Sequence, residues 1–373
     1  MAYKTDVLGQ FFTPPDIVET MLSLRQNVNR VLEPSAGKGA FLSCLEASAV
    51  GIEIDKDIGL SDERLLFEDF FAYSLDNRFD TIIGNPPYVR YRDIANNTKA
   101  MLPMTLFDKR SNLFLFFIAK CADHLVDGGE LIFITPRDFL KSTSARQMND
   151  MLYREGSMTH YDELGDAHIF EDATPNCAIW RWEKGRTDRH MTTGGSFHCR
   201  NGQIWCGDDR PYTQLSDFFD IKVGAVSAAD DVFENERYGT TTMVCSRTAT
   251  SGETRPMIYN TCHPCLKPHK DRLIRRKIKT FNDSNWWMWG RNYHHRKGER
   301  IYVNGKTRHS KPFFVSDIEA YDGSVMALFP KLDFDVSKAA DALNKVDWRQ
   351  LGFVCDGRAL FTQRSLATAP VGI

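Results

Sequence analysis

The residues with the most specific chemical implication are Asn85, Pro86, Pro87 and Tyr88, directly after the apolar run Thr81 to Gly84. Two prolines fix the backbone and remove donors, so the Pro86 carbonyl is held rigidly and left available as an acceptor. Asn85 adds a side-chain carbonyl beside it, and Tyr88 adds a flat stacking surface. Two acceptors and a ring suit a planar, amine-bearing group. Taken alone, the same four residues describe a proline-rich turn with a core tyrosine. Their position after a strand, downstream of a glycine loop and two strand-end acids, favours the site reading.

The glycine loop runs from Glu33 through Pro34, Ala36, Gly37 and Gly39 to Phe41, between a strand signal and a helix signal. Glycines there let the backbone approach a ligand closely, and a helix N-terminus favours negative charge. The dinucleotide pattern GxGxxG is absent, as is the GK[ST] ending of a phosphate loop, so nicotinamide, flavin and nucleotide-hydrolysis readings lose support. Glu53 ends the next strand, where a carboxylate can accept from two ribose hydroxyls. Asp69, after the third strand, repeats that placement and is followed by Phe70.

These residues need a frame. Val31–Leu32, Val50 to Ile54, Leu65 to Phe67, Thr81 to Ile83 and Leu131 to Ile134 read as short buried strands. Between them lie an expected helix from Ala40 to Ala47 and a largely apolar one from Asn112 to Leu125, stopped by Asp127-Gly128-Gly129. This rhythm predicts an α/β fold, a doubly wound, mostly parallel sheet with ligands beyond the carboxyl ends of its strands. It fades after Trp182, and residues 183–188 form a polar linker candidate. A first domain over 1–185 and a second, irregular α+β domain over 190–373 are therefore expected.

The chain has 373 residues and a formal net charge of −2, with 42% hydrophobic and 26% charged residues. Those values exclude a disordered chain, a collagen-like repeat or a small disulfide scaffold. The charge is unevenly placed. From Arg255 to Lys311 there are fifteen Lys or Arg against three acidic residues, a net of +12, so the remainder carries −14. Such a block is an electrostatic footprint for a polyanion, or a solvated basic face. Within it Arg275, Arg276, Lys277 and Lys279, then Arg291, Arg296 and Lys297, are the candidate phosphate contacts. Trp286, Trp287 and Trp289 lie beside them, and core packing is the favoured reading of those rings.

The N-terminus has no apolar stretch of signal-peptide length, and the longest apolar run, Leu113 to Ala119, is far too short to span a bilayer. Nine cysteines, thinly spread, fit reduced thiols in a cytoplasmic protein. Cys262 and Cys265 have zinc-ligand spacing, but no second CxxC completes the set, so no metal is expected.

In this order the motifs resemble those of the gamma-class N6-adenine DNA methyltransferases of restriction-modification systems, over about half the chain. Gln10 to Pro15 is similar to the N-terminal motif whose threonine, here Thr13, helps hold the methionine moiety of S-adenosyl-L-methionine. Glu33 to Phe41 resembles the loop under that cofactor, Glu53 the ribose carboxylate, and Asp69-Phe70 the pair at the cofactor adenine. Lys38 stands where a small residue is usual. Asn85 to Tyr88 resembles the catalytic loop and Gly128 to Pro136 a later strand motif. His168 to Phe170, before the strand-like Cys177 to Trp182, is similar to the place of a second aromatic against the target base. Ile221 to Phe233 resembles the opening of the family's target-recognition domains, departing at Val226 to Asp230.

The resemblance implies a Rossmann-like class I methyltransferase domain followed by a DNA target-recognition domain. Asn85 and Pro86 would accept the hydrogens of a flipped-out adenine amine, with Tyr88 and Phe170 stacking on the base. The implied partner is duplex DNA, with a cognate endonuclease acting separately, and a monomer or weak dimer in a bacterial or phage-type cytoplasm. The loop alone also fits methylation of a protein glutamine or an rRNA base. What separates these is layout: the glycine loop starts near residue 33, and roughly half the chain follows the catalytic half. A DNA-binding protein without catalysis is the third reading.

Overall fold

A computed structural model describes residues 9, 11–164, 176–207, 213–349, 351–355 and 357–371. The chain divides into two compact units, 1–210 and 211–373. The division falls later than the polar stretch at 183–188 suggests. The hairpin Ser196–Arg200 and Gln203–Gly207 packs Phe197 and Ile204 into the core of the first unit.

The first unit is built on a seven-stranded sheet: β1 (Val31–Glu33), β2 (Val50–Glu53), β3 (Leu65–Phe67), β4 (Phe79–Gly84), β5 (Leu125–Pro136), β6 (Gly156–Glu163) and β7 (Cys177–Lys184). Their order is 3-2-1-4-5-7-6. The first five pair in parallel, and β7 runs antiparallel to both β5 and β6. This is a doubly wound, Rossmann-like arrangement, mostly parallel with one antiparallel strand inserted beside its edge. The α-helices of this unit, among the described residues, are α1 (Pro15–Ser23), α2 (Asn96–Met101), α3 (Leu113–His124) and α4 (Arg146–Glu155).

Successive strand residues point to opposite faces, so the apolar runs feed two cores. Leu32, Ile82, Leu131 and Phe133 enter one core with α3 and α4. Val31, Ile83, Ile132 and Ile134 enter the other with Val18 and Met21 of α1. A strand covered on both faces reads as a continuous apolar run, which is why these segments show no alternation.

Two expected elements differ. The helix expected from Ala40 to Ala47 is a single 3₁₀ turn, Leu42–Cys44. Glu33 takes the Leu42 N–H, and the chain must be extended again by Val50 to enter β2. Asp127-Gly128-Gly129 does not end α3 at a loop. It forms a register jump inside β5, where Phe79 pairs Leu125 but Thr81 pairs Glu130, with Gly128 at φ +77°.

The second unit carries a four-stranded antiparallel sheet, Phe219–Val223, Val325–Pro330, Ile301–Asn304 and Phe313–Val315 in spatial order. The helix Val336–Leu343 packs its Val336, Ala340 and Leu343 into the same core as Leu328 and Val303. A second core gathers Phe233, Met257, Leu273, Trp286 and Trp289. No helix among the described residues is long and apolar enough to cross a membrane.

Candidate active site

The carboxyl ends of β1, β2 and β4 and the turn after β3 open into one cavity of about 220 Å³. The glycine loop contributes Pro34, Ser35 and Gly37, β2 contributes Glu53, the turn after β3 contributes Asp69 and Phe70, and the loop after β4 contributes Asn85 and Pro87. Residues placed together here lie far apart in sequence and share only their position at strand ends, as expected for ligand sites on doubly wound sheets.

Glu53 is 5% exposed, and both its oxygens are aimed by backbone donors. Oε2 accepts from the Gly37 N–H at 2.7 Å and Oε1 from the Asp55 N–H at 2.8 Å. The first bond ties the acid to the glycine loop, whose Gly37 sits at φ +54°. A side chain there would be strained.

Asp69 caps the short turn Phe70–Ala72 by accepting from the Phe71 N–H at 2.9 Å, and its other oxygen accepts from Thr98 Oγ1 at 2.5 Å. Beneath it, Lys120 of α3 donates to the carbonyls of Phe70 and Tyr73 at 2.6 and 2.8 Å. Burial pushes the Lys120 ammonium below its ordinary range. Phe70 stacks on Phe117 with centroids 4.9 Å apart. The floor of the cavity is thus fixed from below.

Asn85 has a divided role. Its Nδ2 donates to the Phe11 carbonyl at 2.9 Å and to Thr13 Oγ1 at 3.3 Å. A carbonyl can only accept, so the amide nitrogen must face Phe11. Oδ1 is left buried with no hydrogen-bond partner among the described residues. Such orphaned acceptors are costly, about 1–3 kcal/mol, and call for an explanation.

Tyr88 is half-buried, its hydroxyl donating to the Ile134 carbonyl at 3.1 Å. Its ring packs against Phe11 at 5.2 Å and Phe114 at 5.9 Å. Burial holds the phenol well above its ordinary pKa, so it stays protonated. Pro86 is buried beside it.

Several expected site residues stand behind the cavity rather than on its wall. Glu33 is 2% exposed and turns inward to the Leu42 N–H at 2.8 Å; burial raises its pKa well above the carboxylate range. Ala36 is buried, its N–H given to the Ile52 carbonyl, and Gly39 at φ +77° lies under Leu60. Thr13 reaches Asn85. Phe170, with His168, lies outside the described residues.

Thr98 and Lys120 belong to none of the motifs read from the sequence, while Phe11 and Phe12 lie within the motif from Gln10 to Pro15 but carried no role there. Lys120 did leave a signal, as the one cation inside an apolar helix from Leu113 to Cys121. Thr98 left none.

In the second unit, the expected phosphate contacts separate by burial. Arg276 is 8% exposed and cannot serve as one: its guanidinium donates to the carbonyls of Leu273, Ser227, Trp286 and Met288. It also lies 3.9 Å over the Phe281 ring, and burial lowers its pKa to about 10. Its neighbours Arg275, Lys277 and Lys279 are exposed, Arg275 with its Nε on the Asp271 carbonyl at 3.2 Å. Arg291 and Arg296 are exposed but engaged, Arg291 with the Gly224 carbonyl at 3.2 Å and Arg296 with Asp220 at 3.1 Å. Lys297 is exposed. Trp286 and Trp289 are core residues, 5% and 1% exposed. At the CxxC, His263 Nδ1 lies 2.9 Å from Cys265 Sγ.

The sequence and the fold have counterparts among known proteins. Residues 39–170 match the Eco57I restriction-modification methylase family. That stretch begins in the glycine loop and takes in Glu53, Asp69 and Asn85 to Tyr88. The Type II methyltransferase M.HincII of Haemophilus influenzae is 34% identical over 190 residues, covering 48% of this chain and 38% of its own length. The modification methylase CviBIII of Paramecium bursaria Chlorella virus NC1A is 30% identical over 197 residues, covering 47% and 50%. The Type II methyltransferase M.TthHB8I of Thermus thermophilus is 30% identical over 198 residues, covering 48% and 45%. The chain spans half or less of the length of these curated relatives. Among solved structures, the Type IIL restriction-modification enzyme MmeI, determined in complex with DNA, matches with a TM-score of 0.60 at 10% identity, over 94% of this chain and 63% of that one. That likeness is one of fold.

Proposed function

We propose that the chain is an adenine-specific DNA methyltransferase of a restriction-modification system, acting on the exocyclic N6 of a flipped-out base and dependent on S-adenosyl-L-methionine. The observation that carries this reading is the buried, unpartnered Oδ1 of Asn85 on the wall of a cavity lined by Glu53 and Asp69.

The cavity suits the cofactor. Glu53 offers a fixed carboxylate to a diol, Asp69 an acceptor to a planar amine beside the Phe70 ring, and Gly37 a backbone without a side chain. Bound there, S-adenosyl-L-methionine supplies an electrophilic methyl group. The rest is done by the chain.

An adenine amine is a poor nucleophile because its lone pair is delocalised into the ring. Asn85 Oδ1 and the Pro86 carbonyl accept its two hydrogens and draw the nitrogen toward tetrahedral geometry. No base is needed before attack, since the proton leaves afterwards. Preorganised acceptors and orientation supply most of the rate. Tyr88, already protonated and anchored to Ile134, acts as a fixed stacking plate, and Phe170 is proposed as its counterpart. Unstacking the base costs a few kcal/mol, which such contacts offset.

The second unit is proposed to hold the duplex, with Arg275, Lys277, Lys279 and Lys297 as its phosphate contacts. A cognate endonuclease acting separately completes the system. The test is incubation with methyl-labelled S-adenosyl-L-methionine and unmethylated duplex DNA, followed by base analysis. Label in N6-methyladenine is expected. Label only in protein or RNA would sink the reading.

A further inference from the structure

Lys38 sits in the glycine loop between Gly37 and Gly39 and is exposed. Its Nζ lies 4.2 Å from the centre of the Phe12 ring. Phe12 is 40% exposed, yet it lines the cavity. Its Cε1 is 3.8 Å from the point a Cβ at Gly37 would occupy, so the ring reaches across the glycine loop. The residues on either side are held, because Asn85 Nδ2 donates to the Phe11 carbonyl and to the Thr13 side-chain Oγ1. What those bonds leave unfixed is the Phe12 side chain, and the group above its ring is an ammonium.

We propose that Lys38 is a positioning residue of the methyl-donor site, its ammonium holding the Phe12 ring over the cavity. The proposal rests on the reading of that cavity as the S-adenosyl-L-methionine site. An exposed phenyl ring has no apolar neighbour on its solvent side to choose one rotamer. A cation over the ring face supplies that choice through the ring quadrupole. At an exposed site the attraction is worth about a two- to five-fold change in an equilibrium constant. The charge is what matters, since a methionine of similar length keeps the stem packing and loses the attraction.

The experiment is calorimetric titration of S-adenosyl-L-methionine and S-adenosylhomocysteine into the full chain, its K38M, K38R and F12L variants and the K38M/F12L pair. K38M is expected to weaken both ligands about two- to five-fold, K38R to restore them, and the double variant to bind no more weakly than F12L. In turnover the loss should fall on the donor KM and not on kcat. Wild-type binding with K38M unchanged overturns this proposal alone. Losses that add in the double variant overturn it too, because Lys38 would then act on the ligand without Phe12. A wild-type chain that binds neither compound overturns the assignment of the cavity, and this proposal with it.

Discussion

The Asn85 side-chain nitrogen donates to the Phe11 carbonyl at 2.9 Å, and that bond fixes which way the amide faces. The nitrogen ties the N-terminal segment to the loop after β4. The oxygen is buried without a partner among the described residues, and it is the acceptor proposed for the target amine. One side chain therefore joins the wall of the cavity to the acceptor that would act on the target amine. Asn85→Ala should still bind S-adenosyl-L-methionine, weakened only by loosening of the N-terminal segment, and lose turnover per bound complex by about 10²–10³-fold, as for removal of one preorganised group at a charge-developing centre. Binding by calorimetry and single-turnover methylation separate the two. Lost cofactor binding with normal turnover per bound complex would assign Asn85 to the wrong step.

Glu53 is held by the Gly37 and Asp55 N–H groups. Glu53→Ala should weaken S-adenosyl-L-methionine at least tenfold, because it removes the carboxylate and leaves two donors near the cavity unpaired. Equilibrium titration checks this. Unchanged affinity would move the ribose site elsewhere.

Glu130 is fully buried and binds Arg181 Nε at 2.7 Å, while also accepting from the N–H groups of Gln26 and Asn27 and from Thr81. It fastens the segment before β1 to the centre of the sheet. Arg181→Met should cost about 3–5 kcal/mol, since it leaves a buried carboxylate short of its countercharge. Urea denaturation measures this, and a loss below about 1 kcal/mol would contradict it.

His124 is buried, with Nδ1 against the Asn77 carbonyl, and burial pushes its pKa down to about 4. Its folded value lies below the unfolded one, so the unfolded chain binds the proton first. The stability tied to the neutral ring is complete above pH 6.5 and is lost as pH falls through about 4. His124→Asn should give a flatter melting temperature between about pH 7 and 4 than wild type. Parallel pH profiles would show that His124 does not titrate in this way.

Arg275, Lys277 and Lys279 are exposed, whereas Arg276 between them is enclosed by carbonyls. Neutralising the three exposed cations should weaken duplex binding and lower the salt slope by roughly one per lost phosphate contact, leaving the melting temperature nearly unchanged. Arg276→Met should do the reverse. Fluorescence anisotropy across a salt series, with thermal unfolding alongside, distinguishes them. An unchanged salt slope for the triple variant would remove this segment from the interface.

Much of the fold of the first unit was legible because strands buried on both faces are continuous apolar runs, and because acids at Glu53 and Asp69 mark strand ends. The 3₁₀ turn at Leu42 was not, since a local helical pattern is indifferent to where the next strand must begin. The roles of Glu33 and Arg276 were hidden for a related reason. Residue type gives charge, but only packing decides whether that charge meets solvent, ligand or the chain's own amides. Thr98 illustrates the limit, because its bond to Asp69 joins segments with no sequence pattern in common. The second unit was legible in its charge and not in its sheet, whose strands come from widely separated stretches.

The enclosure of Arg276 has a consequence for any transfer of this basic segment to another protein. A graft of residues 274–280 would carry the exposed cations but leave behind the acceptors at Ser227, Trp286 and Met288. The guanidinium would then be buried without partners, and the segment would not keep its path. Any piece that keeps this guanidinium partnered must therefore include at least Ser227 to Trp289, with Phe233 and Trp289 packed inside it.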